Sequence, residues 1–542
     1  MQTSQPNSQI PVIDIFAGPG GLGEGFARYP YTRPSESKFR VCLSIEKDER
    51  AHKTLRLRSF TRQFFNGIPS DYYRLLKRTD LPQAERIGQL FQKHYLQAEM
   101  ANEDAMCVEL GNPDYQSQIE SSLNEKVGNV MDWVLLGGPP CQAYSLVGRS
   151  RNRGIADYKA ENDNRHFLYL EYLNVIANHL PSIFVMENVK GLLSASVKAE
   201  RIFDRIVGDL RDPRRSLGIA KRKPKGLKST YRLYALTSSD SDKQSKLIDV
   251  GSEADRTDFV IRMEQFGVPQ ARHRLIIFGI REDLAVDELP ELLQLQQPVS
   301  AISVLEDLPP LRSGLSKETD AEAAWKKRVV EATKTPWFKR LNNGKTSLRK
   351  LISSSTKQLA NLELDRGDEW LQHKSGSGYL KRWYHERKIG GVFNHGTRGH
   401  IAEDLHRYLF ASCYAAVNGT SPSLKDFPKE LWPKHKNVEQ ALDGSMFSDR
   451  FRVQLADKPS TTITSHISKD GHYYIHPDPT QCRSLTVREA ARLQTFPDNY
   501  FFCGPRTSQY TQVGNAVPPY LAHQIAKIVF KVLCQVGVAQ NG

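Results

Sequence analysis

The chain has little of what would mark a membrane, secreted or metal-binding protein. No apolar run in its 542 residues approaches the ~18 needed to span a bilayer, and the polar start from Met1 to Gln9 has no apolar core of a secretory signal. A cytoplasmic, membrane-free protein is expected. Its seven cysteines (Cys42, Cys107, Cys141, Cys413, Cys482, Cys503 and Cys534) are an odd, scattered set without a C-x-x-C pair. Neither a disulfide framework nor a zinc site follows from that pattern, and no metal is expected. Acid is also short. Asp and Glu number 61 against 75 Lys and Arg, a net charge of +14 that favours a polyanionic partner. The length is enough for two or more cores.

What the chain does have is a series of short apolar runs, each ended by glycine, proline or a carboxylate. Trp133-Val134-Leu135-Leu136 runs into Gly137-Gly138-Pro139-Pro140-Cys141-Gln142, a buried strand followed by a rigid loop. Cys141 thus stands at a strand's C-terminal end, where open α/β sheets bind ligands. Structural cysteines usually sit inside apolar runs, whereas this one follows two prolines and precedes Gln142, Tyr144 and Ser145.

Residues 11–16 read as another strand, turned into a helix by Ala17-Gly18-Pro19-Gly20-Gly21-Leu22-Gly23-Glu24-Gly25. Glycines there let the backbone pass close to a ligand and let the helix N-terminus face it, although packing alone can require such a turn. A strand over 41–45 ends in Glu46, about twenty-five residues after the glycines. An acid meets a ribose hydroxyl pair at that place in nucleotide-type sites; helix initiation is the other reading. A third strand is expected over 105–110, an amphipathic helix over 167–180, and a strand over 183–186 ended by Glu187-Asn188-Val189. In Gln270-Ala271-Arg272-His273-Arg274, a period of two puts both arginines on one face, with His273 on the other; an anion or carbonyl clamp is one reading of them and a plain surface pair the default.

Residues 50–104 read as helical elaboration without chemistry. From Arg211 to Arg232 nine Lys or Arg face one acid, Asp212, which reads as a solvated loop or as a phosphate contact. After Leu311 the composition shifts, and Trp325, Trp337, Trp370, Trp383 and Trp432 are interleaved with basic residues. That pattern suits a nucleic-acid surface or the core of a small domain. Past Arg450 order returns. Thr486-Val487-Arg488-Glu489 has capping-box spacing for a helix to about Gln494, and apolar residues from Leu521 to Leu533 recur at helical spacing. This last helix is expected to pack beside the first strand, so that both chain ends close one domain.

Taken together, six stretches resemble the DNA (cytosine-5) methyltransferase family in the family's own order. They are Asp14-Ile15-Phe16-Ala17-Gly18-Pro19-Gly20-Gly21, Gly138-Pro139-Pro140-Cys141-Gln142, Glu187-Asn188-Val189, Gln270 to Arg274, Arg483 to Gln494, and Gly514-Asn515-Ala516-Val517-Pro518-Pro519. The resemblance implies an α/β fold: a Rossmann-like S-adenosylmethionine-dependent methyltransferase domain with a smaller inserted target-recognition domain. The catalytic domain would span 1–311, with a helical insertion at about 50–104 and a basic one at about 205–255. The target-recognition domain would span 312–449, and 450–542 would return to the catalytic domain.

By position in the motifs, Phe16, Gly18, Gly20, Gly21, Glu46, Pro140 and Asn515 would hold S-adenosylmethionine. Cys141, Glu187, Arg272 and Arg274 would be catalytic, with Arg272 orienting the base or the Glu187 carboxyl and Arg274 supporting it. The residue after the glutamate is often aromatic in the family and is Lys47 here; Glu109 and Asp114 are both open as the acid after the third strand.

The implied reaction is attack of the Cys141 thiolate on C6 of a cytosine flipped out of double-stranded DNA, hydrogen bonding or protonation at N3 by Glu187, and methyl transfer to C5. A monomer acting as the modification enzyme of a restriction-modification system, with a separate cognate restriction endonuclease, is expected. The alternatives are a tRNA cytosine-5 methyltransferase of the same family and a non-catalytic DNA-binding relative.

Overall fold

A computed structural model describes residues 9–30, 36–140, 168–197, 200–219, 227–237, 256–284, 296–341, 346–373, 378–434 and 450–539. The apolar runs become the strands of one sheet: β1 (Ile10–Ile15), β2 (Phe39–Ile45), β3 (Ala105–Met106), β4 (Val134–Gly137), β5 (Ile183–Val189), β6 (Tyr231–Tyr234) and β7 (His273–Arg281). Their order is β3-β2-β1-β4-β5-β7-β6, and a short strand, Val260–Arg262, also pairs with β7. The first five are parallel, while β7 runs antiparallel to β5 and β6. Side chains alternate between two buried faces: Val12, Val134, Leu136, Val185 and Ile276 pack on one, and Ile13, Leu135, Phe184, Met186 and Ile277 on the other. This two-sided burial explains why the strands read as continuous apolar runs.

The third strand is shorter than 105–110, because its partner β2 ends at Ile45, opposite Met106. Val108 and Leu110 leave the ladder and enter the core instead. Conversely β5 continues to Val189, so Glu187 lies within the strand, opposite Ile276 of β7.

Helix α1 (Gly21–Ala27) follows β1, and α2 (Glu49–Arg62) opens the insertion. Arg58 of α2 donates to both oxygens of the buried Glu24 carboxylate, which pins α2 to α1. Burial alone would raise the Glu24 pKa, but Arg58 outweighs it, with help from Arg62 and Arg28, and holds it at about 2. The insertion is more than elaboration, since Leu57, Phe60, Tyr72, Leu76 and Leu90 share a core with Ile389, Phe393 and Phe501. Arg86 and Gln83 both reach Glu369, and Gln83 also accepts from Gly504 N at 2.6 Å. These 50–104 helices therefore form a wedge between the sheet and the segments around 369–393 and 501–504.

Helix α3 (Leu168–His179) links β4 to β5. Arg214, expected on a solvated loop, is buried and donates to Ala177 O of α3 at 3.0 Å. Tyr231 begins β6 opposite Arg281, at the end of the sheet where β5 starts. The described part of the basic run thus lies at the opposite end of the sheet from Glu187; 220–226 and 238–255 are outside the described residues.

A second core gathers Trp325, Trp337 and Phe338 with Leu348, Ile352 and Leu359 of α4 (Thr346–Asn361), and with Tyr408 and Phe410. Trp325, Trp337 and Trp383 are buried and Trp370 and Trp432 are half-buried, so the tryptophans chiefly build core rather than a base-stacking surface. The same core takes in Phe451, Val453, Ile475 and Cys482, and this packing unit therefore runs past residue 449.

Helix α5 (Val487–Leu493) starts at the expected capping box, with Thr486 and Glu489 satisfying each other's backbone. Its charges are buried and tied inward. Arg483 makes a two-point pair with Glu489 at 2.7 and 2.6 Å, Arg492 pairs with Asp498 and Asp307, and Arg488 donates to the carbonyls of Phe393, Pro497 and Tyr500. Burial would raise the Glu489 carboxyl, but the Arg483 charge reverses this and holds it well below the usual range. The motif is thus a structural hub.

Helices α6 (Arg506–Asn515) and α7 (Pro519–Gln535) end the fold. Leu521, Ile525 and Val529 of α7 pack on Val12, Phe26 and Phe39, so both chain ends close the sheet as expected. Among the described residues no helix is long and apolar enough to cross a membrane, and no His, Cys, Asp and Glu group has metal-site geometry.

Candidate active site

Register places the site. Ile45 pairs with Ile15, Ile15 with Gly137, and Gly137 with Met186. The residues one step further on are Glu46, Phe16, Gly138 and Glu187, side by side along the C-terminal edge of β2-β1-β4-β5 with neighbours roughly 4.8 Å apart. The order reverses between β1 and β4, the switch point at which open α/β sheets bind ligands.

On the β1 side, both Glu46 oxygens accept backbone N–H groups, from Gly18 at 2.8 Å and Asp48 at 2.7 Å. Burial raises the pKa of this carboxyl, against the lowering effect of those bonds. Phe16 takes a left-handed conformation, φ 56°, which costs a non-glycine residue on the order of 1 kcal/mol and is the kind of strain that gathers at functional sites. Gly18 is left-handed too, and the space a Cβ would occupy is open. Gly21 differs, because a Cβ there would lie 2.3 Å from Val517 O. Its lack of a Cβ permits close packing against the chain leading to α7, and Gly20 caps α1. Asp14 lies beneath this turn, buried, accepting from Gly23 N at 3.1 Å, and burial pushes its carboxyl up to about 7. Lys47, in the often aromatic position, pairs with Glu109 at 2.7 Å on the surface. Asp114 instead sits in the first turn of the helix Pro113–Val127.

On the β4 side, a Cβ on Gly138 would stand 3.0 Å from Glu187 Oε2, so glycine lets the carboxylate close over the loop. Asn188 Nδ2 donates to Pro139 O at 3.2 Å and ties the loop's start to β5. Pro140 is half-buried, and Cys141 follows it just outside the described residues. Asn515 is exposed at the end of α6.

The two arginines have different direct partners. Arg274 Nε forms an ion pair with Glu187 Oε1 at 2.9 Å. Arg272 is buried, and its Nη1 donates to Ile463 O at 2.9 Å and Gly514 O at 3.3 Å. Alternation fails because the strand is broken there. Arg272 N bonds back to Gln270 O at 2.8 Å, residues 270–271 pair with Ser460 and Thr461, and β7 begins only at His273. From the sequence, Arg272 is expected to orient the base or the Glu187 carboxyl; the direct contact with that carboxyl is made by Arg274. Burial disfavours the charge on Arg272, lowering its pKa, with Arg274 adding to the effect. His273 faces away to Glu264 at 2.8 Å.

The amide side chains carry contacts that no residue pattern singles out. Gln270 donates to Leu493 O and Gln494 Oε1, both at 3.2 Å, and accepts from Ile463 N at 2.8 Å. Its place in a motif already recognised was the available signal.

The C-5 cytosine-specific DNA methylase family model matches residues 115–213 and 257–531. The chain belongs to this family. The matched span contains Cys141, Glu187, Arg272, Arg274 and Asn515, whereas Phe16 to Glu46 lie before it. Several relatives bear the name type II methyltransferase, among them the following three. M.Bpa9945I of Bacillus paralicheniformis is 32% identical, with 96% of this chain and 99% of that protein covered. M.AgeI of Thalassovita gelatinovora is 26% identical over 73% and 82%. M.DdeI of Desulfomicrobium norvegicum is 23% identical over 95% and 87%. The protein is a DNA cytosine methyltransferase, and its sheet is that of a Rossmann-like methyltransferase.

Proposed function

We propose that the protein methylates C5 of a cytosine flipped out of a specific double-stranded DNA sequence, using S-adenosylmethionine and a covalent bond from Cys141 to C6. The observation that carries this reading is the Glu187–Arg274 pair, fixed beside Gly138 where the loop to Cys141 begins. We place the enzyme as the modification partner of a separate restriction endonuclease.

The residues present fit the cofactor. Glu46 is held by two backbone donors and keeps lone pairs for a hydroxyl pair, and Gly18 leaves open space beside it. Phe16, Pro140 and Asn515 complete the proposed cradle. When bound, S-adenosylmethionine supplies an electrophilic methyl group.

The chain's own residues do the rest. Attack by the Cys141 thiolate on C6 breaks the ring's conjugation and makes C5 enamine-like. Glu187, in its protonated form, donates its proton to N3 as negative charge builds there and is left as the carboxylate. Arg274 holds the Glu187 carboxylate in place and is a positioning residue; Arg272 braces Ile463 and Gly514 beneath it. After methylation C5 gives its proton to solvent water, the C5–C6 double bond re-forms and the C6–S bond breaks, releasing Cys141 as its thiolate.

Arg274→Gln is expected to lower kcat about tenfold with little change in melting temperature, because Glu187 loses its fixed orientation. Arg272→Gln is expected to cost ~2 kcal/mol of stability instead, with two buried carbonyls left unpaired. Thermal melts and single-turnover rates on both variants separate the roles; equal loss of kcat at unchanged melting temperature would return Arg272 to the site.

The second reading, an RNA methyltransferase, shares this catalytic set. Transfer of labelled methyl groups to DNA and not to tRNA is expected, and transfer to tRNA alone would overturn the DNA assignment.

A further inference from the structure

Between Glu331 and Glu363 lie 31 residues with seven Lys or Arg and no acid at all. Most of that stretch is α4. Its inner face, Leu348, Ile352, Ser355, Thr356 and Leu359, is buried in the second core, which fixes the helix's rotation. Thr346, Arg349, Lys350, Ser353, Ser354 and Lys357 recur at i, i+3, i+4, i+7, i+8 and i+11 and line one shallow outer groove. Lys350, Ser354 and Lys357 are exposed, and the Arg349 guanidinium lies over the Phe338 ring at 5.1 Å. Among the described residues none of these three cations is in an ion pair, although the neighbouring Arg340 is paired with Glu430. Such a face, cations interleaved with hydroxyls over roughly 16 Å of helix, has the chemistry that grips phosphates along a duplex.

We propose that this outer face of α4 binds the DNA backbone and reads no base. The proposal rests on the DNA reading above and adds where affinity, as distinct from specificity, is generated. Lysine and hydroxyl donors contact phosphate oxygens without distinguishing sequences, and each phosphate neutralised contributes about 0.9 to the slope of log K against log salt.

The test is binding by full-length protein over a salt series. One duplex is a fragment that the wild-type protein methylates; the other is alternating A·T and carries no cytosine. Lys350→Gln with Lys357→Gln is expected to reduce the slope by about 2 on both duplexes, to weaken binding to both by the same factor, and to leave kcat at saturating DNA unchanged. Lys350→Arg with Lys357→Arg should retain the wild-type slope. An unchanged slope in the glutamine variant overturns the proposal, and so does a loss confined to the methylated fragment, which would make the face a base reader. Wild-type protein that methylates no duplex would instead overturn the function itself, before any variant is compared.

Discussion

Cys141→Ser is expected to abolish methyl transfer while S-adenosylmethionine binding stays within a few-fold of wild type. A serine hydroxyl has no accessible anion near neutral pH, whereas a thiol does, and without attack on C6 the cytosine C5 is too weak a nucleophile to accept a methyl group. The cofactor cradle proposed around Glu46 and Gly18 belongs to β1 and β2, so the substitution should leave it intact. DNA carrying 5-fluorocytosine gives the direct measurement. Fluorine at C5 prevents loss of the proton that precedes elimination, and wild-type protein should therefore accumulate as a covalent adduct that the variant does not form. Methylation of ordinary DNA by wild-type protein that never forms this adduct would rule out the covalent route.

The site was legible where backbone periodicity and strand ends decide geometry. Glu46, Phe16, Gly138 and Glu187 form a row because the parallel strands pair in register, and the glycines, prolines and carboxylates that close the apolar runs lie in or beside that row. Legibility failed where a long-range contact overrides local pattern. A period of two put Arg272 beside Arg274, but pairing of residues 270–271 with Ser460 and Thr461 breaks the strand and turns Arg272 inward. The 50–104 helices carried no motif, and their wedge role depends on Glu369 and Gly504, hundreds of residues away. Composition alone cannot tell a tryptophan that stacks on bases from one that fills a core; the partners of Trp325 and Trp337 decided it.

Glu187→Gln is expected to cut turnover of bound DNA by ~10²-fold or more, because an amide donates a hydrogen bond to N3 but transfers no proton to it. Affinity for unmodified DNA should change far less. The ion pair adds a sharper expectation. Arg274 touches Glu187 at 2.9 Å, and residues in direct contact do not contribute independently. If Arg274 acts only through this carboxylate, adding Arg274→Gln to Glu187→Gln should lower kcat little further, although the same change costs about tenfold in the wild-type background. Single-turnover rates for the two single variants and the double variant measure that coupling. Fully multiplicative losses would mean that Arg274 contacts the base on its own account and would make it a catalytic residue, whereas loss of DNA affinity with unaltered turnover in Glu187→Gln would reduce Glu187 to a structural group.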